Sequence, residues 1–342
     1  MLTLGIETSC DETSVSVTNG RSVLSNVVSS SVHLHKRFGG VVPEIASRLH
    51  VEYIVEVVTE ALKAAGKELK DIKLVAVTNG PGLVGALLTG ISMAKSLSYS
   101  LGVPLIGVNH ILAHMNSAFL NEDDKPSFPF IGLVISGGHT ALFYCEDIDR
   151  QKLLGQTQDD AVGEAYDKVA KILALGYPGG PVIEKTAKSS KKRESRLFPK
   201  SFMGKDSLDF SFSGIKTAVL YYVRKLEQKS PKGLDAGTVS DICYAFQESV
   251  LDVLVEKAFF AAKVKGLKRI VIGGGVAANG RLREKFHDAA ALAGDVKVYF
   301  PKFEYSMDNA AMVGTLGEEL YKRGYRSDLY LSAEPNLELY RR

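Results

Sequence analysis

The chain has 342 residues, enough for two domains of ordinary size. Hydrophobic residues make up 45% and charged residues 24%, a soluble globular composition that excludes a disordered or fibrous chain. A formal charge of +3 is too small to indicate a nucleic-acid partner by itself, and no apolar run reaches the roughly 18 residues that a membrane span needs.

The chain opens with Leu2 to Ile6, an apolar strand whose run stops at Glu7. It has no basic segment before it, so it does not read as a secretory signal. A polar turn, Thr8-Ser9-Cys10-Asp11-Glu12-Thr13, leads to a second strand, Ser14 to Thr18. Its hydroxyls suit phosphate contact, and Asp11 and Glu12 suit cation holding or proton transfer; as a plain turn these residues are formers and caps. His33-Leu34-His35 sits in a basic, polar stretch and reads as solvated surface, with its alternation offering a competing metal pair. Ile45, Leu49, Ile54, Val58 and Leu62 recur at helical spacing before a C-capping Gly66. His50 and His287 show no sequence partner and read as structural.

Leu74 to Val77 is a short strand ending in Thr78-Asn79-Gly80-Pro81-Gly82, which opens a helix through Leu88. Leu101 to Val108 reads as a buried strand, with Asn109 as the cap of a following helix. That helix carries His110-Ile111-Leu112-Ala113-His114. Imidazoles four positions apart lie on one helical face, one turn from each other, where two ring nitrogens reach one ion. The same spacing also arises from two ordinary histidines on a half-buried face. Asn121 to Pro129, polar and proline-containing, is the candidate boundary between an N-terminal lobe, 1–122, and a C-terminal lobe, 123–342.

The second half restarts the pattern. Phe130 to Ile135 is a strand, Ser136-Gly137-Gly138-His139-Thr140 a tight turn, and Ala141 to Tyr144 a returning strand. Strand, hydroxyl-bearing small turn and strand thus open both halves, which suggests an internal duplication with a ligand cleft between two lobes. The glycine turn offers main-chain N–H groups to an anion, or is a simple hairpin. Asp167, on a helix before Tyr177-Pro178-Gly179-Gly180-Pro181, suits ribose hydroxyls or a surface ion pair. Lys185, Lys188, Lys191, Lys192, Arg193, Arg196 and Lys200 form a basic run in the segment 185–205, a solvated loop or an RNA-tracking surface. Arg269 to Ile272 runs into Gly273-Gly274-Gly275-Val276-Ala277-Ala278-Asn279, where bare backbone admits a flat ligand and Asn279 supplies hydrogen bonds. This run matches neither a dinucleotide fingerprint nor a phosphate loop with its lysine. Val296 to Phe300 is the last strand. Asp308 begins the last helix, through Tyr321, and is an oxygen ligand that completes a two-histidine site, or a first-turn acid. Three cysteines (Cys10, Cys145, Cys243) at unpatterned spacing fit reduced thiols and a cytoplasmic chain.

Taken together, Leu4 to Thr13, Gly39-Gly40-Val41-Val42-Pro43-Glu44-Ile45-Ala46-Ser47-Arg48, the histidine pair, Ser136 to Thr140, Asp209-Phe210-Ser211-Phe212-Ser213-Gly214 and Gly273 to Val276 resemble, in order, the bacterial tRNA N6-adenosine threonylcarbamoyltransferase (TsaD) family, once labelled glycoprotease. The resemblance runs from about residue 2 to about residue 320. It implies an α/β, actin-like (sugar kinase and chaperone ATPase) fold of two duplicated lobes. It implies transfer of a threonylcarbamoyl group from threonylcarbamoyl-AMP to N6 of the adenosine 3′ of the anticodon, in tRNAs reading ANN codons. By the same resemblance His110, His114 and Asp308 hold one Fe2+ or Zn2+, and Val134, Ile135, Ser136, Gly137, Gly138, Asp167, Gly180, Glu184 and Asn279 hold the adenylate. Asp11, Glu12 and His139 remain open as the group that takes the proton. The implied partners are tRNA, an inactive paralogue and a small ATPase, with no membrane.

Three other readings compete. A helical two-histidine metalloprotease needs a glutamate after the first histidine, and here that position is Ile111. A small-molecule kinase on the same fold would need no two-histidine metal. A nucleotide-switched scaffold would keep its activity without His110.

Overall fold

The computed structural model describes residues 1–120, 124–200, 203–204, 206–229 and 233–338, with the side chain of Lys36 also outside the description. In chain order the elements are β1 (Leu2–Glu7), β2 (Glu12–Asn19), β3 (Ser22–Ser30), α1 (Val32–His35), α2 (Pro43–Ala65), β4 (Leu74–Gly80), α3 (Val84–Leu101), β5 (Leu105–Asn109) and α4 (His110–Asn116). There follow β6 (Phe130–Ile135), β7 (Thr140–Asp147), β8 (Arg150–Gln156), α5 (Val162–Ile172), α6 (Gly179–Ala187), α7 (Ser213–Lys229), α8 (Ala236–Lys265), β9 (Arg269–Gly273), α9 (Gly280–Ala293), β10 (Lys297–Tyr299) and α10 (Ala310–Lys322).

Two five-stranded sheets share one plan. The first runs β3-β2-β1-β4-β5 and the second, read from its other end, β8-β7-β6-β9-β10. In each, the opening strand pairs antiparallel with the strand after it and parallel with a later one: β1 with β2 and β4, β6 with β7 and β9. A turn bearing candidate chemistry therefore leaves the C-terminal end of the central strand in both.

The chain divides into two compact units. One gathers Met1–Pro126, Asp147–Gln151 and Pro301–Arg342; the other is Ser127–Glu146 with Lys152–Phe300. Pro301–Arg342, which a single division at 122/123 would give to the second lobe, packs with the first. Residues 121–123, at that division, lie outside the described residues.

In the first unit Leu4, Ile6, Val15 and Val17 pack against Ile54, Val57 and Val58 of α2 and Leu87 and Ile91 of α3. The buried stripe of α2 is Ala46, His50, Ile54, Val57, Val58, Ala61 and Leu62, and Gly66 caps it at φ 62° as its spacing predicts. α10 covers the other face at close range. A Cβ on Gly5 would meet the Ala310 carbonyl oxygen and lie 2.7 Å from the Gly314 nitrogen. In the second unit the core lies among α5 to α9 and the sheet, with Tyr166, Phe210, Phe212, Phe246 and Phe286 at its centre.

Several sequence-drawn boundaries move. The apolar run from Leu101 is not all strand: α3 continues to Leu101, Gly102 caps it in the left-handed region, and β5 starts at Leu105. The serines do not interrupt that helix, because Ser92 and Ser96 turn their hydroxyls back to the carbonyls of Leu88 and Ser92 within it. β3 and β8 escape the sequence reading because their apolar residues come in adjacent pairs, Val23-Leu24, Val27-Val28 and Leu153-Leu154, rather than alternating. The last helix starts at Ala310 with Asn309 as its cap, so Asp308 is not a first-turn acid. The triple glycine opens a 3-10 turn, Gly275–Ala278, before α9.

Two predictions follow from the docking of α10. Gly5→Ala pushes α10 off β1 and lowers stability by about 3 kcal/mol in denaturant unfolding, whereas Gly40→Ala, with open space around it, leaves it unchanged. Glu318 is fully buried; burial raises its pKa, but hydrogen bonds from the N-terminal amine, Lys322 and the Gly20 N–H hold it below its ordinary value of 4.5. A depressed acid stabilises the fold above its unfolded value and loses that contribution as pH falls through the folded one. Glu318→Gln should therefore cost about 2 kcal/mol at pH 7, and the gap to wild type should close below about pH 4.

Candidate metal centre and ligand-binding turns

β5 delivers α4 directly, and Asn109 caps it: its Oδ1 accepts from the N–H groups of Ile111 and Leu112 at 2.9 and 3.2 Å. The cap fixes the first turn, so His110 and His114 both point inward, their rings 4.5 Å apart and edge to face. Asp308 comes from the segment ahead of α10. His114 Nε2 lies 3.0 Å and His110 Nε2 3.7 Å from Asp308 Oδ1. One ligand atom from each of the three residues lies within 4.8 Å of the others.

The donor set fits a divalent transition-metal ion. Both ring nitrogens of His114 are buried without a hydrogen bond, although Nε2 is close to Asp308. A neutral imidazole has one donor and one acceptor nitrogen, both costly when buried without a partner, and a cation at Nε2 would satisfy the acceptor and the Asp308 carboxylate together. Two imidazoles and one carboxylate suit iron or zinc and leave coordination positions open. Glu7, at the end of β1, supplies the outer contact: His110 Nδ1 donates to Glu7 Oε2 at 3.0 Å, which turns Nε2 toward Asp308.

Glu7 is itself tied down. Its Oε1 accepts from the Ser9 N–H and its Oε2 from the Thr78 hydroxyl, both at 2.6 Å. Ser9 Oγ lies 3.1 Å from His110 Nδ1. Burial works against a charged His110, but Glu7 and Asp308 outweigh it and lift its pKa to about 9. For Glu7 the opposing pair is burial, which raises its pKa, and protonated His110, which wins and holds it low. Burial and the neighbouring charge of His110 push His114 below its ordinary value. A cation held here would take the place of the Nε2 proton on His110.

The turn after β1 lies in the same unit. Asp11 and Glu12 are both buried, and Asp11 Oδ2 has no hydrogen-bond partner. Burial, then the charges of Asp308 and Asp11, push Glu12 up to about 10. His50 braces this turn: its Nε2 lies 2.9 Å from the Cys10 carbonyl oxygen and its Nδ1 2.7 Å from the Thr13 hydroxyl. His50 is thus structural but not partnerless, and only three-dimensional contact reveals the partner. The reading of His33-Leu34-His35 as solvated surface also needs correction. These residues form α1, and His35 is fully buried, with Nε2 3.1 Å from Ser31 Oγ and Nδ1 accepting from the Val42 N–H.

In the second unit the adenylate candidates form a chain of contacts. Val134 and Ile135 are buried in the ladder of β6, so their side chains belong to the core. The Ser136–Thr140 turn is pinned to the start of α5: Gly163 and Glu164 donate to the carbonyls of Ser136 and Gly137, and His139 N–H donates to Ser136 Oγ. Gly137 and Gly138 face open space. Asp167, one helical turn into α5, accepts from the Gly179 N–H at 2.6 Å and so caps α6. Gly180 also faces open space. Glu184, later in α6, accepts from the Gly280 N–H at 3.2 Å and pairs with Lys188. Asn279 caps α9 through Oδ1 and donates to Gln247 Oε1, so both of its polar atoms already have protein partners. A Cβ on Gly274 would strike the Ile135 backbone, which closes the ring.

Sequence reasoning passed over Glu7, Thr78 and Asp159. Glu7 was visible as an acid ending an apolar strand. Asp159 accepts from the N–H groups of Phe212 and Ser213 and from the hydroxyls of Ser211 and Ser213, at 2.5 to 3.2 Å. That clasp is the structural reason for Asp209-Phe210-Ser211-Phe212-Ser213-Gly214.

The model of the family described as tRNA N6-adenosine threonylcarbamoyltransferase matches residues 22–315. Proteins of that name are 52% identical over 340 residues in Dictyoglomus turgidum, covering 99% of each chain, and 48% identical in Clostridioides difficile, covering 99% of this chain and 98% of that one. Among solved structures, full-length HypF in its phosphate- and nucleotide-bound form superposes with a TM-score of 0.60 at 14% identity, over 94% of this chain and 46% of that one. The activator of 2-hydroxyisocaproyl-CoA dehydratase from Clostridium difficile, with bound ADPNP, gives 0.52 at 13% identity, over 95% and 97%. These neighbours show an actin-like ATPase and sugar kinase fold. With a three-residue group that could hold a metal ion, two topologically repeated sheets and a family match over most of its length, the chain belongs to the tRNA N6-adenosine threonylcarbamoyltransferases, and it is an enzyme.

Proposed function

We propose that the chain moves the threonylcarbamoyl group of threonylcarbamoyl-AMP to N6 of the adenosine 3′ of the anticodon, in tRNAs that read ANN codons. The observation that carries this reading is the convergence of His110, His114 and Asp308 in a chain half identical to named transferases. A metalloprotease reading lacks its base at Ile111.

One Fe2+ or Zn2+ held by His110, His114 and Asp308 supplies Lewis-acid polarisation of the carbamoyl carbonyl. Glu7 orients His110 for that task. The exposed backbone of Gly137 and Gly138 suits the phosphate, with its N–H groups able to meet the departing charge. Asp167, Gly180, Glu184 and Asn279 frame the nucleoside end, Asn279 by holding α9 in place. In the transfer the amine nitrogen bonds to the carbamoyl carbon, the bond from that carbon to the phosphate oxygen breaks, AMP leaves, and one proton leaves the amine. Among Asp11, Glu12 and His139, Asp11 suits that proton best. Its buried Oδ2 has no donor, whereas Glu12 is held protonated at neutral pH. A separate inactive paralogue and a small ATPase complete the expected bacterial assembly, in the cytoplasm. No helix among the described residues is long and apolar enough to cross a membrane.

Labelled threonine carried from the adenylate into tRNA tests the reading. Wild type should transfer label, and His110→Ala/His114→Ala should lose both transfer and its single bound metal ion; transfer surviving in that variant would refute the metal's role. Glu7→Gln should keep all three ligands yet bind the metal about 10 to 100 times more weakly, read by competition with a chelating dye. Asp11→Asn should retain metal and donor and lose about 10² to 10⁴ in transfer rate; an unchanged rate would pass the role to Glu12 or His139.

A further inference from the structure

The basic segment 185–205 is not one uniform cationic run. Ser201, Phe202 and Lys205 lie outside the described residues, and three of its cations are already neutralised. Lys188 pairs with Glu184, Lys192 with Asp241, and Lys200 with Asp252 and Glu256. Lys191, Arg193 and Arg196 are exposed and make no ion pair among the described residues.

The segment does not hang free. Phe198 is buried in the core of the second unit and meets the ring of Tyr222 on α7 at 5.7 Å, edge to face. Ser190 donates to Asp241, and the Arg193 N–H donates back to Ser190. The loop is therefore clamped beside α7. Helical periodicity turns Ile215, Val219 and Val223 inward and leaves Tyr221, Arg224 and Lys225 on the open face. Tyr221 is 64% exposed, and neither Arg224 nor Lys225 has an acidic partner among the described residues. Glu194 and Glu227 are the acids these two elements contribute.

We propose that Lys191, Arg193, Arg196, Tyr221, Arg224 and Lys225 form a docking surface for the tRNA backbone. The proposal rests on the transferase reading above and adds the place where the polynucleotide is held. Unpaired cations gain by displacing condensed counterions from phosphates, while paired lysines gain little. An exposed tyrosine among them offers a stacking face to an unpaired base. Placement agrees as well: the loop continues α6, whose first turn holds Gly180, and the seven residues from Gly180 to the helix end at Ala187 span about 10 Å. That is the scale of a few nucleotides, so backbone held here leaves a neighbouring adenosine within reach of the α6 terminus.

The test uses the complex purified through a tag on this chain, with unmodified tRNA carrying a fluorescent label. Lys191→Ala/Arg193→Ala/Arg224→Ala/Lys225→Ala should weaken tRNA binding at least tenfold at 0.15 M salt. It should also make the slope of log affinity against log salt shallower by about 3. Lys63→Ala/Lys67→Ala/Lys70→Ala/Lys73→Ala removes the same charge from the first unit and should change that slope by less than 1. Tyr221→Phe should bind as wild type and Tyr221→Ala more weakly. Metal content and thermal midpoint should stay at wild-type values throughout. If wild type binds and modifies tRNA and the first variant matches it in affinity and slope, the surface is refuted alone. If wild type neither binds nor modifies tRNA, the transferase reading fails and takes the surface with it.

Discussion

A single buried carboxylate organises the first unit. Glu7 has no solvent exposure, and a charge there is tolerable because Ser9, Thr78 and His110 answer it against the like charge of Asp308. The Ser9 N–H fixes the turn after β1, the Thr78 hydroxyl ties that turn to β4, and His110 ties it to α4. Three segments far apart in sequence thus share one anion. The same anion sets which nitrogen of His110 faces Asp308. Removing its charge would loosen the turn and blur the direction of a ligand at once, so fold and site are not separable here.

Close approach of backbones is the second constraint. Gly5 lets α10 lie on β1, which brings the segment carrying Asp308 to the end of the sheet where α4 begins. In the second unit Gly163 would clash with Gly137 and Ser136 if it carried a Cβ, so the start of α5 can close over the Ser136–Thr140 turn. Gly137 and Gly138 differ in kind. A Cβ on either would meet nothing within 4 Å, so packing gives no reason for glycine there, and their exposed backbone leaves room for a ligand.

Much of this was legible in the sequence. The spacing of His110 and His114 placed both on one helical face, and Asn109 was readable as the cap. The repeat of strand, turn and strand announced two sheets of one topology. Periodicity fails where its assumptions fail. The serines of α3 satisfy themselves within the helix, so a polar stretch stayed helical and the following strand was drawn too early. The polar β3 and β8 show no apolar alternation. His50 is buried by partners 37 and 40 residues away, which no local pattern encodes, whereas His35 is held by Ser31 and Val42 close by in the chain. Asp308 was readable as an oxygen ligand, but its place ahead of α10 depends on Asn309 taking the cap.

The duplicated plan explains how one architecture carries two chemistries. Both central strands end in a turn whose main chain is held by the sheet, so the side chains in that turn are free to diverge. After β1 the turn carries Asp11 and Glu12 beside Glu7, an accumulation of acid that burial makes costly and that a cation relieves. After β6 the turn carries no acid, and Gly137 and Gly138 are exposed without side chains, a setting that favours an anion over a cation. Exchanging the two turns would place Asp11 and Glu12 on the second unit and strip the first of two buried carboxylates, leaving Glu7 of β1 as the anion beside His110. The repeated sheet thus presents turns of opposite charge preference at equivalent positions of the two units, without needing two separate folds.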